Sequence, residues 1–229
     1  MTRVAIEKRV LSENDAEAAV IRQRLRREGT LCLNLIGSPG AGKTALLERT
    51  LERLSSENAV AVLTGDIQTD CDARRLMRYG HPVRQITTAG ACHLDARMVA
   101  RHLEGWPGHL DLLLIENVGN LVCPTSYDLG EDAKVVLLSV TEGEQKPLKY
   151  PGIFKKADLM ILTKTDLLPY VSFDLERVRT NARLIHPAIE IIETSATTGA
   201  GLDEWIGWLA ARAAGKQAQA EREVEHAGR

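Results

Sequence analysis

Gly37-Ser38-Pro39-Gly40-Ala41-Gly42-Lys43-Thr44 follows the apolar run LCLNLI at 31–36 directly and leads into Ala45-Leu46-Leu47. The octapeptide fits G-x-x-x-x-G-K-[ST], and an apolar strand before it with a helix after it turns that pattern into a phosphate loop. Glycines let the backbone curl around an anion with its N–H groups turned inward, and the helix N-terminus adds a favourable dipole. On this reading Gly37, Ser38, Pro39, Gly40, Ala41, Gly42, Lys43, Thr44 and Ala45 bind a nucleotide. Lys43 reaches the β- and γ-phosphates, and the Thr44 hydroxyl ligates Mg²⁺.

Outward from that loop, apolar runs of strand length recur: AVAVLT at 59–64, VRQIT at 83–87, LLLIE at 112–116, KVVLLSV at 134–140, DLMILT at 158–163 and the IEIIET stretch around 190–194. Helix-like segments separate most of them, so the expected fold is α/β, a mostly parallel doubly wound sheet flanked by helices. Ser12 as N-cap, with Asp15 three residues on, predicts a helix over 13–28. The last helix is expected from near Leu202 to before Gly215. The organisation is then an N-terminal helical extension (1–30), a nucleotide-binding domain (31–213) and a charged tail (214–229) that lacks an apolar stripe and is expected to fray.

With 229 residues and 44% hydrophobic content, the chain suits one domain of this kind. Its net charge of -2 provides no basic field, so nucleic acid and anionic membrane are not expected partners. MTRVAIEKRVLSEN lacks an apolar signal core, and no run approaches the ~20 apolar residues of a bilayer span, so a cytoplasmic location is expected. Cys32, Cys71, Cys92 and Cys123 lie far apart and should stay reduced there.

Ligands gather at the carboxyl ends of parallel strands, and two carboxylates fall there: Asp66 in TGDIQTD and Glu116 in LLLIENVGN. Each either caps a turn or, as favoured here, completes the Mg²⁺ site begun by Thr44 and positions water; Lys43, Asp66 and Glu116 are the candidate catalytic groups. Thr163-Lys164-Thr165-Asp166 resembles the Asn-Lys-x-Asp element that reads guanine. A carboxylate there accepts from N1–H and the 2-amino group, whereas adenine would leave it desolvated and unpaired. Lys164 would cover the base, and Ser195-Ala196 matches the loop that touches guanine through its backbone. Lys146 in EGEQKP reads as a solvated charge, its approach to the phosphates being the alternative. Leu167, Leu168 and Val171 read as core, the alternative being a dimer surface.

Cys92-His93, at the start of an expected helix, and Cys123 fall in loops on the nucleotide side of the sheet. Thiolates with imidazole suit Zn²⁺ or Ni²⁺ and not Mg²⁺. A buried cysteine is more often a small hydrophobe, and a lone histidine is more often just hydrogen-bonded, so the pairing alone leaves both readings open. Three ligands also leave a coordination position that a second chain would fill.

Together GSPGAGKT, GDIQTDCDA, CHLDARMV, LLLIENVGNLVCPTSYDLGE, SVTEGEQKPLKYPGIFKKADL, TKTD and ETSATTGAGLDEW resemble the HypB family of hydrogenase nickel-incorporation GTPases, from about Leu31 to Leu209. The resemblance implies a SIMIBI-type G domain that binds GTP or GDP with Mg²⁺. It also implies nickel or zinc held by Cys92, His93 and Cys123, homodimerisation on GTP binding, and hydrolysis that times metal transfer to a hydrogenase large-subunit precursor. A HypA-type metallochaperone is the partner it implies. Two departures stand out. Residues 1–30 contain no Cys or His, so the nickel-storing N-terminal segment of many relatives is not expected, and Thr163 replaces the usual Asn. Rival readings are the related urease-maturation GTPase, which reads Cys-Pro-His where this chain has Cys-His-Leu-Asp, a nucleotide-gated metal-binding module with incidental hydrolysis, and a small-molecule kinase.

Overall fold

The computed structural model describes residues 3–54, 58–106 and 109–227. Strand β1 (Leu31–Gly37) is buried along its whole length because it runs through the middle of a seven-stranded sheet. The order is β3-β2-β4-β1-β5-β6-β7, with β2 Val60–Asp66, β3 Val83–Thr87, β4 Leu112–Glu116, β5 Ala133–Ser139, β6 Leu159–Thr163 and β7 Glu190–Glu193. Every neighbouring pair is parallel, so all carboxyl ends emerge at one edge. Each expected apolar run is a strand, with ends shifted by at most a residue or two.

Helices cover both faces: α1 (Arg3–Glu28), α2 (Lys43–Arg53), α3 (Cys71–Leu76), α4 (Ala96–Leu103), α5 (Lys146–Lys149), α6 (Pro151–Lys156), α7 (Leu175–Ile185) and α8 (Leu202–Ala227). Alternation along β1 divides the core. Leu33 and Leu35 pack with Leu47 of α2 and Trp205 and Leu209 of α8. On the opposite face Cys32 joins Ile21 and Leu25 of α1 and Val99 of α4, and Ile36 joins Phe154 and Val178. Burying side chains of this size contributes about 1.5–3 kcal/mol each.

Helix α1 begins well before residue 13. Its Asn14 side chain donates to the Asp128 carbonyl at 2.9 Å and accepts from the Ala96 amide at 2.8 Å, while Arg22 reaches both oxygens of Asp128. The terminal helix does not stop before Gly215, and residues expected to fray continue it to Ala227. Polar ends hold it where no apolar stripe exists. Lys216, 8% exposed, pairs with Asp132, Gln217 donates to Asp111 at 3.1 Å, and Arg26 pairs with Glu223. Leu167, Leu168 and Val171 are also not core. They sit half-exposed on and beside a 3-10 turn, Thr165–Tyr170, that projects past the end of β6, and Tyr170 beside them is 84% exposed.

Among the described residues no helix is long and apolar enough to cross a membrane.

Candidate nucleotide site and metal centre

The phosphate loop joins β1 to α2 at the sheet edge where the strands end. Gly40 and Gly42 turn it with φ of 78° and 91°, the left-handed region that glycine enters without steric cost. The loop borders a cleft of about 470 Å³ whose walls include Lys43, Thr44, Asp66, Glu116 and Lys164. Pro39, Gly40, Gly42 and Ala45 also line it, whereas Gly37 closes β1 and Ala41 is fully buried behind the loop. Lys43 Nζ lies 3.4 Å from the Gly37 carbonyl oxygen and 3.5 Å from that of Ser38, and burial lowers its pKa. Lys146 is not the solvated charge expected. Its ammonium donates to Ser38 Oγ at 3.1 Å, pairs with Glu142 at 3.2 Å and stands over the Tyr150 ring.

Glu116 ends β4, the neighbour of β1, and the parallel register brings its Oε1 to 2.8 Å from the donating Thr44 hydroxyl. Its other oxygen is buried with no partner among the described residues. Burial pushes the carboxyl up to about 7, against the opposing pull of Lys43 and Thr44. A hydroxyl and an unsatisfied buried carboxylate, side by side at a phosphate loop, fit a hard cation such as Mg²⁺. Asp66 stands across the cleft at the end of β2, where Oδ1 accepts from the Gln68 amide, the Thr69 amide and the Thr69 hydroxyl. Burial opposes ionisation there, but those donors hold its pKa below the ordinary value. The turn-capping role is therefore real for Asp66, and it leaves the carboxylate ionised at the cleft wall.

Next to this cleft a smaller pocket of about 230 Å³ is lined by Ala45, Thr163, Lys164, Asp166 and Ala196. Lys164 takes a left-handed φ of 60° at the end of β6, and Asp166 Oδ1 accepts from Ser195 Oγ at 2.6 Å, so the two segments expected to read the base are joined. The Thr163 hydroxyl donates to the Ala41 carbonyl at 2.6 Å. Arg49 of α2, not singled out from sequence, donates to the Ala196 carbonyl at 2.7 Å.

Cys92, His93 and Cys123 converge. The two sulfurs are 3.1 Å apart, Cys92 Sγ is 4.0 Å from His93 Nδ1, and the candidate ligand atoms all lie within 4.8 Å of one another. Cys92 and His93 occupy the loop before α4, which starts only at Ala96 behind the Asp95 cap, and Cys123 opens a 3-10 turn after β4. Loop backbone lets adjacent side chains meet where regular helix would splay them. The hydrogen bond to Cys123, with desolvation, raises the Cys92 pKa, and burial lowers that of His93 despite Asp95 nearby. Two hydrogen-bonded sulfurs and an imidazole form a donor set that a soft divalent ion would bind by displacing protons.

Asp72 and Arg75 of α3 also line the phosphate cleft, Arg75 being held by Glu48 at 2.6 Å. Tyr127 stacks on the His93 ring, centroids 3.9 Å apart. Their only sequence signal was nearness to the GDIQTD and Cys-Pro segments.

A family model described as CobW/HypB/UreG, nucleotide-binding domain, matches residues 31–193. The hydrogenase maturation factor HypB of Azotobacter chroococcum is 52% identical over 209 residues, covering 90% of this chain and 68% of that protein. Among solved structures, HypB from Archaeoglobus fulgidus superposes with a TM-score of 0.83 at 42% identity, covering 88% of this chain and 99% of that one. HypB from Helicobacter pylori in complex with nickel gives 0.83 at 38% identity, covering 90% and 97%. Phosphate loop, thiol cluster and these likenesses agree: the chain belongs to the CobW/HypB/UreG family of P-loop nucleotide-binding proteins and, within it, to the HypB hydrogenase maturation factors.

Proposed function

We propose that this protein is a GTPase that delivers nickel to a [NiFe]-hydrogenase large-subunit precursor, its nucleotide state governing dimerisation and metal release. The observation that supports this best is the path of residues 116–123. They begin with the carboxylate that accepts from Thr44 in the phosphate loop and end with the thiol 3.1 Å from Cys92.

In this reading the loop amides from Gly37 to Ala45 and the Lys43 ammonium hold the phosphates, and Thr44 with Glu116 holds Mg²⁺, which screens the charge that develops on phosphoryl oxygens. Asp66, ionised at the cleft wall, orients the attacking water. Asp166 accepts from guanine, Lys164 covers its face, and the Ser195-Ala196 backbone is steadied by Arg49. Nickel is cargo, taken by Cys92, His93 and Cys123, with zinc an alternative occupant of the same donor set. The unfilled coordination position, the half-exposed Leu167, Leu168 and Val171 and the exposed Tyr170 favour a homodimer at this edge. A HypA-type metallochaperone as nickel source follows from family likeness alone, and a cytoplasmic site of action accords with that work.

The test is nickel release from loaded protein given GTP or a non-hydrolysable analogue. Faster release with GTP supports hydrolysis-timed delivery, while identical release in both makes the protein a nucleotide-gated metal binder. The H. pylori relative is named a hydrogenase/urease maturation factor. A urease precursor is therefore the competing client in a transfer assay.

A further inference from the structure

Residues 116–123 reach both pockets: Glu116, Asn117, Val118 and Gly119 line the phosphate cleft, and the segment ends at Cys123 in the thiol cluster. Gly119 lies against the phosphate loop so closely that an added Cβ would sit 2.9 Å from Pro39 Cγ and 3.0 Å from Pro39 N. On the other side two asparagines hold the Cys92-His93 loop by its backbone. The Asn117 side-chain oxygen accepts from the Leu94 amide at 3.2 Å, and Asn120 Nδ2 donates to the Cys92 carbonyl at 3.2 Å. One tie falls at the first metal-binding residue, the other just past the second.

Asn117 is 1% exposed and bonded besides to Val118 and Asn34, so it is fixed in the core. Asn120 is half-exposed, and its two ends do different work. Oδ1 accepts from the Val122 amide at 2.9 Å, a local turn that aspartate would keep, whereas Nδ2 reaches across 28 residues of sequence to Cys92. Turn formation needs only the acceptor. The donor connects the loop bearing one sulfur to the segment bearing the other, one residue beyond the glycine that rests on Pro39.

We propose that Asn120 is a positioning residue that transmits nucleotide state to the metal loop, its Nδ2 bond making Cys92 follow any displacement of residues 116–123. This rests on the nickel-delivery reading above. Movement of the segment when the γ-phosphate is present or absent then changes the Cys92 to Cys123 separation, and with it metal affinity. Metal bound at the sulfurs biases nucleotide affinity by the same factor, since coupling between two equilibria is reciprocal.

The experiment measures nickel affinity of the full chain with GDP and with a non-hydrolysable GTP analogue, both with Mg²⁺, for wild type, N120A and N120D. In parallel, the alkylation rate of Cys92 is followed in metal-free protein under the same nucleotides. The expected wild-type affinity ratio is about fivefold or more. In both variants it falls to about one, and Cys92 alkylation becomes insensitive to nucleotide, while metal-free GTP turnover and nickel stoichiometry keep wild-type values. Because N120D retains the turn, loss of the ratio in that variant assigns the effect to the donor; taking a ratio also cancels any direct effect of its added charge. A wild-type ratio preserved in N120D overturns the assignment and leaves the delivery reading intact. A wild type with no ratio at all overturns both.

Discussion

The Thr163 hydroxyl donates to the Ala41 carbonyl at 2.6 Å, tying the end of β6 to the back of the phosphate loop. The usual Asn at this place has a longer arm, and here a hydroxyl spans the gap because Gly42 brings the loop in close: a Cβ on Gly42 would lie 3.5 Å from Thr163 Oγ1.

Thr163→Val keeps the shape and removes that donor, leaving a buried carbonyl unpaired. GDP affinity measured by fluorescent-nucleotide displacement is expected to fall about three- to tenfold, the equivalent of one hydrogen bond, with guanine still preferred over adenine. Unchanged affinity would show that the tie does not organise the base pocket.

Glu116 sets a pH dependence. Its folded carboxyl titrates near 7, above the ordinary 4.5, so between those values the folded protein binds a proton that the unfolded chain has released. Stability of the metal- and nucleotide-free protein is therefore expected to fall as pH rises from about 5 to 8, by roughly 1–3 kcal/mol. Glu116→Gln, which cannot ionise, should flatten that slope in urea titrations and abolish Mg²⁺-dependent GTP turnover. A wild-type protein equally stable at both ends of the range contradicts the buried, unpaired oxygen.

Cys92→Ala and Cys123→Ala each remove a candidate soft ligand from the cluster of three. Nickel retained after desalting is expected to drop at least about tenfold, since even outer-shell changes cost that much, while GDP binding stays at wild-type strength. In wild-type protein the raised Cys92 pKa means that nickel must displace thiol protons, so its apparent affinity rises with pH between 6 and 8. Retention of nickel by both variants would locate the metal elsewhere.

Truncation after Ala214 removes Lys216 and, among the described residues, leaves the Asp132 side chain the Cys32 amide alone as donor. A loss on the order of 1–3 kcal/mol in urea denaturation is expected, partial exposure of Asp132 softening the penalty of a broken buried pair. Lys216→Ala in the full chain should reproduce most of it. If the truncated protein matches the full chain, the end of α8 is decoration.

Patterns that local chemistry dictates were legible in the sequence. Double-sided burial writes LCLNLI and LLLIE as continuous apolar runs, and phosphate wrapping demands the glycines at 40 and 42. The convergence of Cys92 with Cys123 was legible only as a possibility, because it depends on where two loops leave β3 and β4, which lie on either side of β2. The tie from Asn120 to the Cys92 loop was not legible, since an asparagine in a loop reads as a turn former whatever its amide touches 28 residues away. The course of α8 past Gly215 escaped for a related reason: Lys216 and Gln217 anchor it by their polar tips, and hydrophobic periodicity carries no trace of such docking.

The contact between Gly119 and Pro39 makes one carbon atom a wedge between two grips. A methyl introduced at 119 would pry the anion cradle away from the sulfur-bearing arm, so that tolerance for side-chain volume at this seam bounds how far either pocket can be redesigned on its own.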